Sequence, residues 1–244
     1  MKRFFTLFFL VTCTFSIQAQ HAEPRLVITP LHGDFYVFTT YNLYKGDPVP
    51  ANGMYVVTNA GVVMFDSPWD TTQFQPLLDS ISSRHHKKVV ACIATHSHAD
   101  KTAGLEYYQA KGISTYTTRM TDSISRVTGQ KRAGHLMDKD TSFSIGGYSF
   151  DVFYPGEGHT PDNIVAWFSR DKVLYGGCLV KSTEATDLGY IKEANLKTWA
   201  ATIRRIQARF GKPRYVIPGH DGWTSNQSLD HTVRLVNEYN SNNK

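Results

Sequence analysis

The chain has 244 residues, 41% of them hydrophobic and 19% charged, a balance that suits one ordered domain large enough for a buried core. Its formal charge of +5 is carried by no dense Lys/Arg run, which leaves no electrostatic footprint for nucleic acid, although a positive field would favour small anionic substrates. Three cysteines are too few for a disulfide-framework fold.

In chain order, Lys2 and Arg3 lead into the apolar stretch Phe4 to Ile17 and then Gln18-Ala19-Gln20. This reads as an export signal over residues 1–19, cleaved after Ala19, with residues 20–244 as the mature domain and the periplasm as its destination. The stretch is short for a membrane span, and no later segment is continuously apolar at spanning length, so no stable membrane association is expected. A lipoprotein reading through Leu10-Val11-Thr12-Cys13 fits less well, because Thr12 is a poor residue before a lipidated Cys. Loss of Lys2 and Arg3 with the signal leaves +3, and leaves Cys92 and Cys178 as the only cysteines.

From Leu26 to Ser67, short β-branched and aromatic runs (Leu26 to Thr29, Phe35 to Tyr44, Gly53 to Asn59, Val62 to Asp66) predict an antiparallel meander. The segment from Lys45 to Asn52, with its Gly and two prolines, predicts an exposed, mobile loop rather than a strand. After Asp70 the spacing of Phe74, Leu77, Leu78 and Ile81 is helical, and Lys88 to Ala94 is an apolar run of strand length. Residues 101–130 read as helix, short strand and helix. Residues 142–176 return to strands, including Ile164 to Phe168 and Val173 to Tyr175. A helix from about Ala194 to Phe210, a strand at Tyr215 to Ile217 and a helix from about Leu229 to Tyr239 close the chain. Two sheets packed face to face with helices outside, an α+β arrangement, fit this order.

The chemistry gathers at strand ends. Thr95-His96-Ser97-His98-Ala99-Asp100 follows the apolar run directly, and two imidazoles with a carboxylate at a rigid strand end suit zinc. An isolated HxHxD is as often a set of exposed polar residues opening a loop. Here three further ligand-type residues stand in Gly-bearing turns after strand-like runs: Gly158-His159-Thr160, Gly176-Gly177-Cys178 and Pro218-Gly219-His220. Glycine lets such turns aim a side chain inward. His96, His98 and His159 would make a three-His zinc site open to water, and Asp100, Cys178 and His220 a neighbouring mixed site.

This set resembles the Cys-containing two-zinc subclass of metallo-β-lactamases, subclass B1, and the resemblance spans essentially the whole mature chain. Gly156-Glu157-Gly158-His159-Thr160-Pro161-Asp162-Asn163, Gly176-Gly177-Cys178-Leu179-Val180-Lys181-Ser182 and Pro218-Gly219-His220 are similar to family motifs. The resemblance implies a four-layer αββα sandwich with two Zn2+ ions along one edge and residues 41–52 as a flexible cover. It implies a zinc-dependent β-lactamase that hydrolyses penicillins, cephalosporins and carbapenems through a zinc-bound hydroxide and so confers antibiotic resistance. Asp100 would ligate the second metal and orient the nucleophile, and Lys181 would pair with the substrate carboxylate. Two departures stand out. Lys101 replaces a common Arg and lacks its planar fork. Tyr190, in Asp187-Leu188-Gly189-Tyr190, stands where an Asn is usual, so either a phenol meets the substrate carbonyl in its place or the zinc holds that carbonyl alone.

Other readings compete. Cys178 could pair with Cys92, but Cys92 lies inside Val89-Val90-Ala91-Cys92-Ile93 and reads as a core residue. His21, His32, His85, His86, His135 and His231 have no partner motif and read as solvated or capping. Trp69 fits either the core or the site mouth. A serine β-lactamase would need a helix-borne Ser-x-x-Lys, and the match Ser169 to Lys172 falls in a turn. A thioester hydrolase of the same fold resembles His-x-His-x-Asp-His with a bridging Asp, whereas Lys101 and Cys178 stand in those places. A zinc-buffering protein without catalysis would more naturally carry His-rich tracts. Nothing in the sequence demands more than a monomer.

Overall fold

The computed structural model describes residues 25–138 and 140–243; the expected export signal lies outside them. The β-rich first segment forms β1 (Leu26–His32), β2 (Phe35–Tyr44), β3 (Asp47–Thr58) and β4 (Gly61–Phe65), an antiparallel meander. A parallel neighbour needs a crossover. The chain supplies one through a 3-10 turn at Thr71–Gln73 and α1 (Phe74–His85), and then lays β5 (Val89–Ile93) parallel to β4. The Asp70 side chain starts this crossover by accepting from Thr72 N. Two short helices, α2 (Ala99–Thr102) and α3 (Leu105–Ala110), lead to β6 (Ser114–Thr118), and α4 (Arg119–Thr128) to β7 (His135–Met137). These seven strands stand in chain order in one sheet.

The second sheet repeats the scheme with β8 (Thr141–Ile145), β9 (Tyr148–Phe153), β10 (Val165–Phe168) and β11 (Val173–Gly177) antiparallel. The crossover through α5 (Trp199–Phe210) then places β12 (Tyr215–Pro218) parallel to β11, and α6 (Ser228–Asn242) ends the chain.

Alternation along the strands decides the layering. On β3, Met54 and Val56 face the second sheet and join Phe65, Phe150, Phe168 and Tyr175 in an inter-sheet core. Tyr55, between them, faces the other way with Phe38 and Cys92 to receive Phe74, Leu77 and Ile81 of α1. A third apolar layer packs Trp199, Ile203 and Ile206 of α5 and Val236 of α6 on Leu174 and Val216. The result is the αββα sandwich expected from the order of elements. Strands covered on both faces explain why Gly61–Phe65 and Val89–Ile93 read as unbroken apolar runs. Cys92 is a core residue as expected, and both Cys92 and Cys178 are free thiols. No described helix is long and apolar enough to cross a membrane.

Two sequence expectations need correction. Residues 47–52 are strand: β2 and β3 pair without interruption from Phe35↔Val56 to Tyr44↔Asp47, so the expected loop is a β-ribbon. Its turn is only Lys45-Gly46, both at positive φ (55° and 94°), the conformation that continues the right-handed twist of a two-residue hairpin. Prolines 48 and 50 misled the reading because proline cannot donate to a ladder. It is tolerated where its nitrogen faces away from the partner strand, and β4 pairs with β3 only from Met54 onward. The second correction concerns α5, which begins at Trp199 rather than Ala194. Asn195 N donates to Gly158 O and Asn195 Nδ2 to Glu157 Oε2, tying this segment to the preceding turn in place of a helical ladder.

Candidate metal centre

The chemistry-bearing residues leave the C-terminal ends of strands from both sheets. His96 and His98 follow β5, and Asp100 sits in the first turn of α2. His159 lies between β9 and β10, Cys178 follows β11 and His220 follows β12. Parallel strands β4–β5 and β11–β12 open their ends to the same side, which is where loops can converge. Glycine makes the convergence possible at two points. Gly177 has φ 54°, and a Cβ on Gly219 would lie 2.5 Å from Cys178 Sγ and 2.8 Å from the Gly177 carbonyl carbon.

The six residues singled out from the sequence all meet here. The rings of His96, His98 and His159 are mutually near-perpendicular with centroids 4.8, 5.0 and 5.1 Å apart. One ligand atom from each falls within 4.8 Å of the others, and the same holds for His96, Asp100 and Cys178. Asp100 Oδ2 is the meeting point of the second group. Cys178 Sγ donates to it at 3.3 Å and His220 Nε2 stands 3.3 Å away. His220 Nδ1 donates to Pro50 O at 2.7 Å, since a carbonyl can only accept, and this turns Nε2 toward Asp100.

A cation fits this arrangement. His96 is fully buried, yet neither of its ring nitrogens has a hydrogen-bond partner among the described residues, and the same is true of His159 Nδ1. Unpartnered buried nitrogens are costly unless something outside the chain takes them. Burial, reinforced by neighbouring imidazoles and lysines, holds His96 and His159 far below the usual histidine range, so both rings are neutral as a metal requires. Burial and the Asp100 charge push the Cys178 thiol well up, so without a metal it keeps its proton and donates it to Asp100. Burial alone would raise the Asp100 carboxyl, but Lys101 and His220 together hold it well below the ordinary carboxylate range. The donor set, imidazole, carboxylate and thiol, is that of zinc.

Beneath the site lies a buried ionic group that sequence reading reached only in part. Lys101 is wholly buried, with Nζ 3.2 Å from Asp100 Oδ2 and 3.8 Å from Asp66 Oδ2, and it donates to Asn52 O at 3.2 Å. Asp66 accepts from Thr95 N at 2.7 Å, Thr95 Oγ1 at 2.9 Å and Tyr175 OH at 2.6 Å. A signal for Asp66 existed: a carboxylate closing the apolar run Val62 to Phe65. No local signal marked Asn52 or Trp199.

The site opens into a cavity of about 780 Å³, within the range of small-molecule clefts. Trp69 lines it, with its ring 6.4 Å from that of His220, which settles its place at the mouth. Lys181 lines it too, its Nζ 5.6 Å over the Trp199 ring. Tyr190 stands edge-on to His98 at 5.4 Å and donates to Glu193 Oε1 at 3.0 Å, while Glu193 Oε2 is 3.4 Å from His98 Nε2. The ribbon tip reaches over the opening with Tyr44, and Leu43 beside it is 63% exposed. His32, His85, His135 and His231 lie elsewhere, on Tyr215, on Tyr55, on Tyr116 and on Ala185 O. Ser169 to Lys172 is the turn between β10 and β11.

Comparison with known proteins agrees with this geometry. The sequence model of the metallo-beta-lactamase superfamily matches residues 46–220. The chain is 44% identical over 221 residues to a metallo-beta-lactamase type 2 of Elizabethkingia meningoseptica, covering 91% of this chain and 89% of that protein. It is 42% identical over 232 residues to metallo-beta-lactamase IND-1 of Chryseobacterium indologenes, covering 95% and 97%. Its fold superposes on the crystal structure of metallo-beta-lactamase IND-7 with a TM-score of 0.84 at 44% identity, covering 87% of this chain and 98% of that one.

Proposed function

Because this chain belongs to the metallo-beta-lactamase superfamily, we propose that it opens β-lactam rings with two zinc ions held by the six residues described above. It is a zinc-dependent hydrolase acting on β-lactams, and its substrates include penicillins, cephalosporins and carbapenems. His96, His98 and His159 hold the first ion; Asp100, Cys178 and His220 hold the second. The observation that carries this reading is the pair of orphaned nitrogens on fully buried His96, at the centre of two groups of converging ligand atoms.

Zinc, when bound, supplies an activated water and polarises the lactam carbonyl. The chain's own residues do the remainder. Asp100, ionised through its contact with Lys101, orients the attacking water by accepting its hydrogen bond. Lys181, on the cavity wall, pairs with the carboxylate that β-lactams share. Tyr190, on the cavity wall beside His98, would have to release Glu193 before its hydroxyl could donate to the lactam carbonyl. No acyl-enzyme is required. Lys181→Ala is expected to raise KM by about tenfold or more, with kcat nearly unchanged, since it removes a charge-assisted hydrogen bond made alike in ground and transition states. Steady-state kinetics on two substrates checks this, and an unchanged KM on both removes Lys181 from binding.

The chain is exported through residues 1–19, works in the periplasm and acts as a monomer. The test of the function is hydrolysis of a carbapenem and a cephalosporin by the mature chain before chelation, after EDTA and after zinc is restored. Turnover is expected to vanish with the metal and return with zinc. No turnover by the zinc-loaded protein overturns the reading, and hydrolysis of a thioester instead would reassign the substrate.

A further inference from the structure

β3 serves two partners in succession. Its outer half pairs with β2 on one side only, and the main-chain groups of Pro48, Pro50 and Asn52, at alternate positions, face away from β2 toward the loops of the second sheet. At Pro50 the carbonyl receives His220 Nδ1 at 2.7 Å. At Asn52 the main-chain N donates to Gly219 O at 2.8 Å, and the carbonyl receives Lys101 Nζ at 3.2 Å.

The Asn52 side chain adds a bracket. Nδ2 donates to Pro218 O at 3.1 Å and to Asp221 O at 2.8 Å, the carbonyls on either side of the Gly219-His220 turn. Oδ1 accepts from Thr39 Oγ1 of β2 at 2.8 Å, which fixes which end of the amide faces the turn. Asn52 is 2% exposed, and no carboxylate or hydroxyl could supply two donors and an acceptor in one plane. Asp221, at the far end of the bracket, has φ 59°, in the left-handed region that Asp enters more readily than most non-glycine residues.

We propose that Asn52 is a positioning residue for the second metal position. Its amide spans the turn bearing His220 and, with Pro50 O, sets that ring so that Nε2 faces Asp100 and Cys178. The root of the ribbon that covers the cavity is therefore also the support of a metal ligand. This rests on the assignment of Asp100, Cys178 and His220 to the second zinc.

The experiment is cobalt(II) titration of the metal-free mature chain, read by two signals: the thiolate-to-cobalt absorption, which reports metal on Cys178, and the visible ligand-field bands, which report total occupancy. Wild type should show a thiolate band with two equivalents bound; a saturated wild type without that band overturns the two-metal assignment itself. Asn52→Leu keeps the branched shape and removes every side-chain hydrogen bond. It is expected to weaken the affinity read on the thiolate band about 10- to 100-fold while binding of the other equivalent is unchanged. Asn52→Ala, which cannot clash, gives the same reading where the leucine fails to fold. Thr39→Val, which removes the bond that orients the amide but leaves both of its N–H donors, should weaken the thiolate-band affinity less than Asn52→Leu and leave the other equivalent unchanged. A folded Asn52 variant with wild-type thiolate-band affinity, or with both equivalents weakened alike, overturns the proposal.

Discussion

Asp100→Asn is expected to reduce kcat/KM by on the order of 1,000-fold, corresponding to about 4 kcal/mol of lost transition-state stabilisation. One atom carries so much because three groups depend on it. Asp100 Oδ2 is 3.2 Å from the Lys101 ammonium and 3.3 Å from each of the Cys178 sulfur and His220 Nε2. Its carboxyl is held far below the usual range, so at neutral pH the charge that Asp100→Asn deletes is fully present in wild type. The amide keeps the shape but offers a neutral oxygen to the metal and an N–H that competes for His220. Kinetics and zinc content should be measured together. A fall of less than tenfold with two zinc ions retained would remove Asp100 from the reaction and leave it a supporting role.

Lys101→Met is expected to cost about 3–5 kcal/mol of folding stability in the metal-free chain, because it leaves carboxylates buried without their cation. Burial alone would lower the Lys101 ammonium, yet the Asp100 and Asp66 carboxylates beside it raise it above the ordinary lysine value. Asp66 is pushed up to about 6 by burial, with Lys101, Tyr175 and Thr95 already pulling it down. A carboxyl whose folded value lies above its unfolded value favours the folded state at low pH and loses that advantage as pH rises through about 6. With the ammonium gone that value climbs further. The cost of Lys101→Met should therefore be larger at pH 8 than at pH 5. Urea unfolding at both values, repeated with Asp66→Asn and the double variant, isolates the pairing. The double variant should lose clearly less than the two single losses added together. Simple additivity would show that the two groups do not depend on each other.

What could be read in advance and what could not divide along a physical line. His96, His98 and Asp100 announce themselves because one short segment carries all three at a strand end. His159, Cys178 and His220 do so because each stands in a glycine turn after a strand-length run. The two sheets followed from alternation and from apolar runs of the right length. Asn52 was hidden because its partners lie 166 and 169 residues further on, at Pro218 and Asp221, and no window of sequence holds both ends of such a contact. Lys101 was visible as a departure from Arg, but not as a fully buried cation shared between Asp66 and Asp100. The ribbon was misread because prolines report a missing donor. Whether that donor would have been needed depends on the neighbouring strand, which local composition does not reveal.

The ribbon from Phe35 to Thr58 also says something about how this enzyme can change under selection by new antibiotics. Near its tip, Leu43 and Tyr44 are exposed and Tyr44 lines the cavity, so substitutions at these two positions cost little folding energy and alter what the substrate side chains meet, whereas the turn Lys45-Gly46 is held by its positive φ. Its root, Pro50 to Asn52, carries the His220 turn, and changes there would disturb a metal ligand before they reached any drug. Adaptive variants should accumulate at the one end and be purged at the other. A single strand pair thus holds permissive positions at one end and constrained ones at the other.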